Sequence, residues 1–317
     1  MSEPPKRPTY AEPKVEGDAP GSEAHARTLK RLESLQNQLA RKRKGDRLDG
    51  KVCIITGVGS KKGIGRASAF AFAHEGAAHL YLLDYLGDSL PELEKRLMEA
   101  YPRTKITVVE GDATDDATIA SLCRRAIADE GRLDVFFANA GIATILKIPE
   151  ITPEFLMRTI RVNTLSCFLA IKHASEAMLI KSSTKGESGG SIIMTASTAG
   201  LRASSGSVDY SASKATVNSM AKTAACQLAG TNIRVNSVCP GLVETGMTTI
   251  MFENAKARGK TVKVGQLTPL QRHGVPEEIA QLALFLASDD SSYVNAQNIA
   301  IDGGLSGSHP VTPGRSW

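Results

Sequence analysis

From Lys51 onward, short continuous apolar runs alternate with longer stretches whose apolar residues recur every three or four positions. Lys51–Thr56 (KVCIIT), His79–Leu83, Ile106–Val109, Leu133–Phe137, Ser191–Thr195, Ile233–Val238 and Asn298–Ile301 read as strands. Ile64–His74, Leu90–Ala100, Ala117–Glu130, a long Glu154–Leu179, Ser211–Leu228 and Glu277–Ala287 read as helices. Strands apolar on both faces, alternating with helices, predict an α/β fold: a single doubly wound parallel sheet with helices on both faces. Ligands of such a sheet lie beyond the C-terminal ends of its strands. The polar run Lys181–Gly189 reads as an exposed loop.

The first 50 residues differ. Residues 1–22 are rich in Pro, Glu, Lys and Gly and are expected to form a disordered tail. In residues 23–47, Leu29, Leu32, Leu35 and Leu39 make one helical stripe, so a short amphipathic helix and a linker are expected. Its basic end, Arg41-Lys42-Arg43-Lys44, complements a helix C-terminus; as a nuclear-import signal it would pair with Lys30-Arg31. Residues 48–307 then form the main domain and 308–317 a C-terminal tail.

Charge and composition narrow the function. Lys and Arg number 38 against 33 Asp and Glu, and residues 1–50 hold 11 of the basic and 8 of the acidic ones, so the remainder is near neutral. With 5% aromatic residues, neither a basic footprint nor a stacking platform for nucleic acid is present. No run of 18 apolar residues occurs, so no membrane partner is expected. Cys53, Cys123, Cys167, Cys226 and Cys239 are far apart without a CxxC pair, which predicts buried reduced thiols and no metal site. With no apolar leader at the N-terminus, a cytoplasmic location is expected.

Two constellations carry candidate chemistry. After the first strand stands Thr56-Gly57-Val58-Gly59-Ser60-Lys61-Lys62-Gly63-Ile64-Gly65, a turn whose glycines let backbone N–H groups approach a pyrophosphate at a helix N-terminus. Asp84 ends the second strand, where a carboxylate can accept both hydroxyls of an adenosine ribose. Further on, Tyr210-Ser-Ala-Ser-Lys214 puts a phenol and an ammonium on one helix face. A phenol titrating near ~10 is a poor acid–base group at neutrality, and an adjacent ammonium favours its ionised form.

These residues, with others in order, resemble the short-chain dehydrogenase/reductase family over residues 48–307. The matching positions are the glycine turn, Asp112, Asn139-Ala140-Gly141, Asn163, Ser197, Tyr210, Lys214, Pro240-Gly241, Val243, Thr245 and Asp302-Gly-Gly. The resemblance implies a Rossmann-like NAD(P)-dependent oxidoreductase that interconverts a secondary alcohol and a ketone by hydride transfer. Tyr210 would be the general acid/base, and Lys214 would activate it and bind the nicotinamide ribose. Ser197 would hold the substrate oxygen, and Asn163 a water leading to Lys214. Gly57, Ser60, Gly63, Ile64, Gly65, Asn139, Ala140, Gly141, Pro240 and Gly241 would contact the cofactor. Asp112 and Ala113 would meet the adenine edge, and Val243 and Thr245 the carboxamide.

The chain departs from the family pattern at two places. Five residues, where the family usually has three, separate Gly57 and Gly63, and Ala138 stands where a first asparagine is common. Asp84 favours NAD, whereas Lys61 and Lys62 of the longer loop could pair with the 2′-phosphate of NADP. NAD is preferred because a strand-end carboxylate faces the ribose more directly than a loop lysine. Ile142, Ala143, Ile145, Met247, Ile250, Met251 and Phe252 suggest a partly apolar pocket for a small alcohol or ketone. Lys256, Arg258, Lys260 and Lys263 read as a solvated face, or as a guide for an anionic acyl thioester. An NADPH-dependent 3-oxoacyl thioester reductase is the alternative enzyme, and a non-catalytic dinucleotide sensor the rival of another class. The resemblance implies a homodimer or homotetramer built partly from the long helices.

Overall fold

Seven strands run parallel in the order β3-β2-β1-β4-β5-β6-β7: β1 Val52–Thr56, β2 His79–Asp84, β3 Lys105–Glu110, β4 Val135–Ala138, β5 Gly190–Thr195, β6 Ile233–Pro240 and β7 Asn298–Ile301. They belong to a computed structural model that describes residues 46–143, 146–203, 205–260, 264–265 and 267–308. The expected helix at 23–44, residues 1–22 and 309–317 of the tails, Ile145 and Lys263 lie outside the described residues. Successive side chains of a strand point to opposite faces, so β1 feeds Val52 and Ile54 to one core and Cys53 and Ile55 to the other. This double burial is why the strands read as unbroken apolar runs.

Helices cover both faces. On one side α1 (Ile64–His74), α2 (Leu90–Ala100) and α8 (Pro276–Ala287) pack Phe72, Leu93, Leu97 and Leu284 onto the sheet. On the other, α3 (Asp116–Glu130), α5 (Ser166–Leu179) and α6 (Val208–Gln227) contribute Ile119, Leu122, Leu169, Ala170, Val217 and Ala221. Two shorter helices, α4 (Pro153–Ile160) and α7 (Thr249–Ala257), complete the set used below. Strand order reverses direction at β1 and β4, and the crevice beyond their C-terminal ends is where such a sheet receives ligands.

Two sequence expectations need correction. The long helix at Glu154–Leu179 is α4 and α5 joined by a π-helical turn over Arg161–Leu165, which re-aims the side chain of Asn163 inward. The polar run Lys181–Gly189 is not wholly exposed. Lys185 is buried, and its ammonium donates to the carbonyls of Leu133 (2.6 Å), Gly189 (2.7 Å) and Met178 (3.2 Å). The cause is local: α5 ends at Leu179, leaving the Met178 carbonyl without a helical partner, and a cation fills that gap. Four cysteines are buried as expected, whereas Cys226 is exposed on α6.

Candidate active site

The crevice begins with the β1–α1 turn. Gly57 has φ +75°, and a Cβ there would sit 2.8 Å from the Ala140 Cα, so only glycine lets the two turns meet. A Cβ on Gly65 would lie 2.3 Å from the Gly57 carbonyl oxygen, so Gly65 packs beneath the turn and does not line the crevice. The middle motif is fixed from the same side: Thr56 Oγ1 accepts the N–H groups of Asn139 and Ala140, both at 3.1 Å. Asn139 donates to the Gly57 carbonyl at 3.0 Å and accepts the Thr195 hydroxyl at 3.0 Å.

At the end of β2, Asp84 accepts the Gly59 N–H through Oδ2 (2.7 Å) and the Leu86 N–H through Oδ1 (3.0 Å). Each carboxylate oxygen keeps one further lone pair for a ligand. Ser89 Oγ donates to the Gly59 carbonyl at 2.6 Å, closing this corner. Lys62 turns elsewhere: its Nζ donates to Glu244 Oε1 at 2.9 Å, and that contact holds the Glu244 carboxyl below the usual range.

Ser197, Tyr210 and Lys214 converge at the ends of β5 and α6. A 3₁₀ turn, Thr198–Gly200, follows Ser197, whose Oγ accepts the Ala199 N–H at 3.1 Å. Thr198 Oγ1 donates to the Pro240 carbonyl at 3.0 Å, tying the turn to β6. It lies directly on α6, since a Cβ at Gly200 would fall 2.7 Å from the Lys214 carbonyl carbon. Lys214 is buried, donates to the Thr195 carbonyl at 2.7 Å, and has its Nζ 5.7 Å from the centre of the Tyr210 ring. Asn163 is fully buried, accepts the Ile142 N–H (2.8 Å), and donates to the Ile142 carbonyl and Ser213 Oγ, both at 3.0 Å. Gly141 separates the two: a Cβ there would stand 3.0 Å from Asn163 Oδ1 and 3.4 Å from Lys214 Nζ.

One cleft of about 480 Å³ joins these parts. Gly57, Ser60, Gly63, Ile64, Asp84, Asn139, Ala140, Gly141, Ser197, Tyr210, Lys214, Pro240, Gly241, Val243 and Thr245 all line it. Asn163 stands behind Gly141, away from the lining. Asp112 and Ala113 are also outside it: Asp112 Oδ1 accepts the Thr114 N–H at 2.7 Å, and the Ala113 methyl sits in the core. Sequence reasoning missed Thr195, Asp88, Ser89 and Thr248 in the lining. Thr195 was within reach, because it ends a strand at the ligand-facing edge. The exposed Lys256, Arg258 and Lys260 of the α7 region stand clear of the lining.

A cradle of glycines beside a helix N-terminus, with a ribose-competent carboxylate at its margin, fits a nicotinamide dinucleotide. Comparison with known proteins agrees. The family model described as enoyl-(acyl carrier protein) reductase matches residues 57–306. A 3-oxoacyl-[acyl-carrier-protein] reductase of Thermotoga maritima is 40% identical over 259 residues, covering 82% of this chain and 99% of that protein. Among solved structures, levodione reductase matches with a TM-score of 0.75 at 30% identity, covering 83% of this chain and all 100% of that one. A short-chain type dehydrogenase/reductase from Mycobacterium marinum matches with a TM-score of 0.72 at 31% identity, covering 81% and 96%.

Proposed function

The chain belongs to the short-chain dehydrogenase/reductase family, as an NAD(P)-dependent oxidoreductase interconverting a secondary alcohol and a ketone, and on that footing we propose that it uses NAD to act on a small neutral substrate. The observation that carries this reading is a single cleft lined by Asp84 and by Ser197, Tyr210 and Lys214. Bound dinucleotide supplies or accepts the hydride. The remaining steps belong to side chains of the protein.

Tyr210 Oη takes the hydroxyl proton in oxidation and returns it to the carbonyl oxygen in reduction. The Ser197 hydroxyl oxygen accepts from the backbone, so its own O–H is left to donate to the substrate oxygen as charge gathers there. Lys214 spends one N–H on the Thr195 carbonyl and keeps two, for the Tyr210 phenol and a ribose hydroxyl. Asn163 fixes the Ile142 backbone and Ser213, which keeps Gly141 and α6 at the spacing Lys214 needs.

NAD is favoured for two reasons. Asp84 offers two lone pairs to two ribose hydroxyls and repels a 2′-phosphate, and Lys62 is already engaged by Glu244. A neutral substrate follows from the lining, where Lys214 is accompanied by no second cation among the described residues. Exposed Met157, Phe168, Leu179, Ile180 and Val208 on or beside α4–α6 suit a homo-oligomer built on those helices. Titration of the chain with NADH and NADPH, followed by reduced-nicotinamide emission and then by NAD reduction with neutral secondary alcohols, tests the reading. Tighter binding of NADPH, with turnover confined to 3-oxoacyl thioesters, would replace it by the second reading, which the Thermotoga relative favours.

A further inference from the structure

The β1–α1 turn is two residues longer than the family pattern, and its extra length carries Lys62. Lys62 Nζ meets Glu244 Oε1 at 2.9 Å, on the segment that follows β6. Both segments line the cleft on either side of this pair in sequence: Ser60 and Gly63 flank Lys62, and Val243 and Thr245 flank Glu244. A second contact lies alongside. A Cβ on Gly246 would fall 2.5 Å from Ser60 Oγ, so the Ser60 side chain of the lengthened turn rests directly on the segment after β6. Glu244 is also held from behind, with its Oε2 3.6 Å from His273 Nε2, and the His273 ring meets Phe252 of α7 edge-on at 4.9 Å.

Two segments that line the cleft are thus joined, next to their lining residues, by an ion pair and by close packing. We propose that Lys62 and Glu244 form a clasp across the dinucleotide cleft that slows cofactor exchange. The clasp rests on the reading of this cleft as a dinucleotide site. An exposed pair of this kind, lost on opening, changes a release rate by about two- to fivefold.

The experiment is a stopped-flow chase on the full chain. A complex with the more tightly bound reduced dinucleotide is mixed with excess of its oxidised form, and the decay of nicotinamide emission gives the release rate. Lys62→Met and Glu244→Gln are each expected to raise that rate about two- to fivefold, the double variant no further, and the charge reversal Lys62→Glu/Glu244→Lys to restore it toward wild type. Thermal midpoints of each variant verify the fold. A rise below about twofold in either single variant, or additive effects in the double, overturns the clasp and leaves the cofactor reading standing. A folded wild-type chain that binds neither NADH nor NADPH overturns both.

Discussion

On the proposal that Asp84 selects NAD, replacing it by Asn should yield a chain that accepts both dinucleotides. The carboxylate has about four acceptor sites. The Gly59 and Leu86 N–H groups occupy one on each oxygen, at 2.7 and 3.0 Å, and two remain for ribose hydroxyls. A 2′-phosphate of charge about −2 set roughly 4 Å from this carboxylate is repelled by about 2 kcal/mol even at the dielectric of water, or about 30-fold in affinity. Asp84 is half-buried, which strengthens the repulsion, while salt screens it, so about 30-fold is the working magnitude. The amide of Asn can accept only through its single oxygen, so one of the two backbone bonds is lost, at about 1 kcal/mol. That loss burdens NADH and NADPH alike and cancels in their ratio. Emission titrations of wild type and Asp84→Asn give four dissociation constants, and the NADPH-to-NADH ratio should fall by about 30-fold. A ratio unchanged within about twofold would remove Asp84 as the selector, since that is far below the repulsion expected at this separation.

Tyr210→Phe removes the proton-carrying oxygen while keeping the ring, so turnover should fall about 10²-fold or more with NADH affinity retained; a variant holding half the wild-type rate would refute the assignment. Gly141→Ala sets a methyl 3.0 Å from Asn163 Oδ1 and 3.4 Å from Lys214 Nζ. Overpacking there should cost about 1–3 kcal/mol in a melt and reduce turnover, whereas wild-type turnover would deny that Lys214 works at this spacing. Burial pushes the Lys185 ammonium down to about 8. Between that pH and the ~10.4 of an unfolded lysine the unfolded chain binds more protons, so stability through this group is complete above ~10.4 and is lost as pH falls through about 8. Denaturant unfolding of wild type should therefore gain at most about 2 kcal/mol between pH 8 and 10 relative to Lys185→Met, less to the extent that solvent screens the ammonium. Parallel pH curves for the two chains would contradict this.

Where a residue's role follows from its place on a strand or helix, the sequence announced it. The alternation of apolar runs with helical stripes located each of the seven strands to within two residues at either end. Tyr210 and Lys214 share a face because four residues of α-helix put them there, and Asp84 faces the crevice because β2 ends there. The π-turn at Arg161–Leu165 left no mark, since the apolar pattern of α4 runs on into α5 without a break. It depends on Asn163 finding the Ile142 backbone, 21 positions away.

The amino-acid order alone thus determined the sheet, the glycine turn and the spacing of the reacting groups, because each depends on neighbours within a turn or a strand. Three features waited for the tertiary structure. Lys185 reads as solvated in a polar run, yet it fills a gap between carbonyls from three separated segments. Lys62 reads as a free loop cation, and its partner Glu244, 182 residues on, is visible only in the fold. Ser197 reaches Tyr210 and Lys214 because Gly200 admits the backbone of α6. In each case a polar group's fate is set by whichever opposite charge or free carbonyl the fold brings within about 3 Å, and no local pattern encodes that distance.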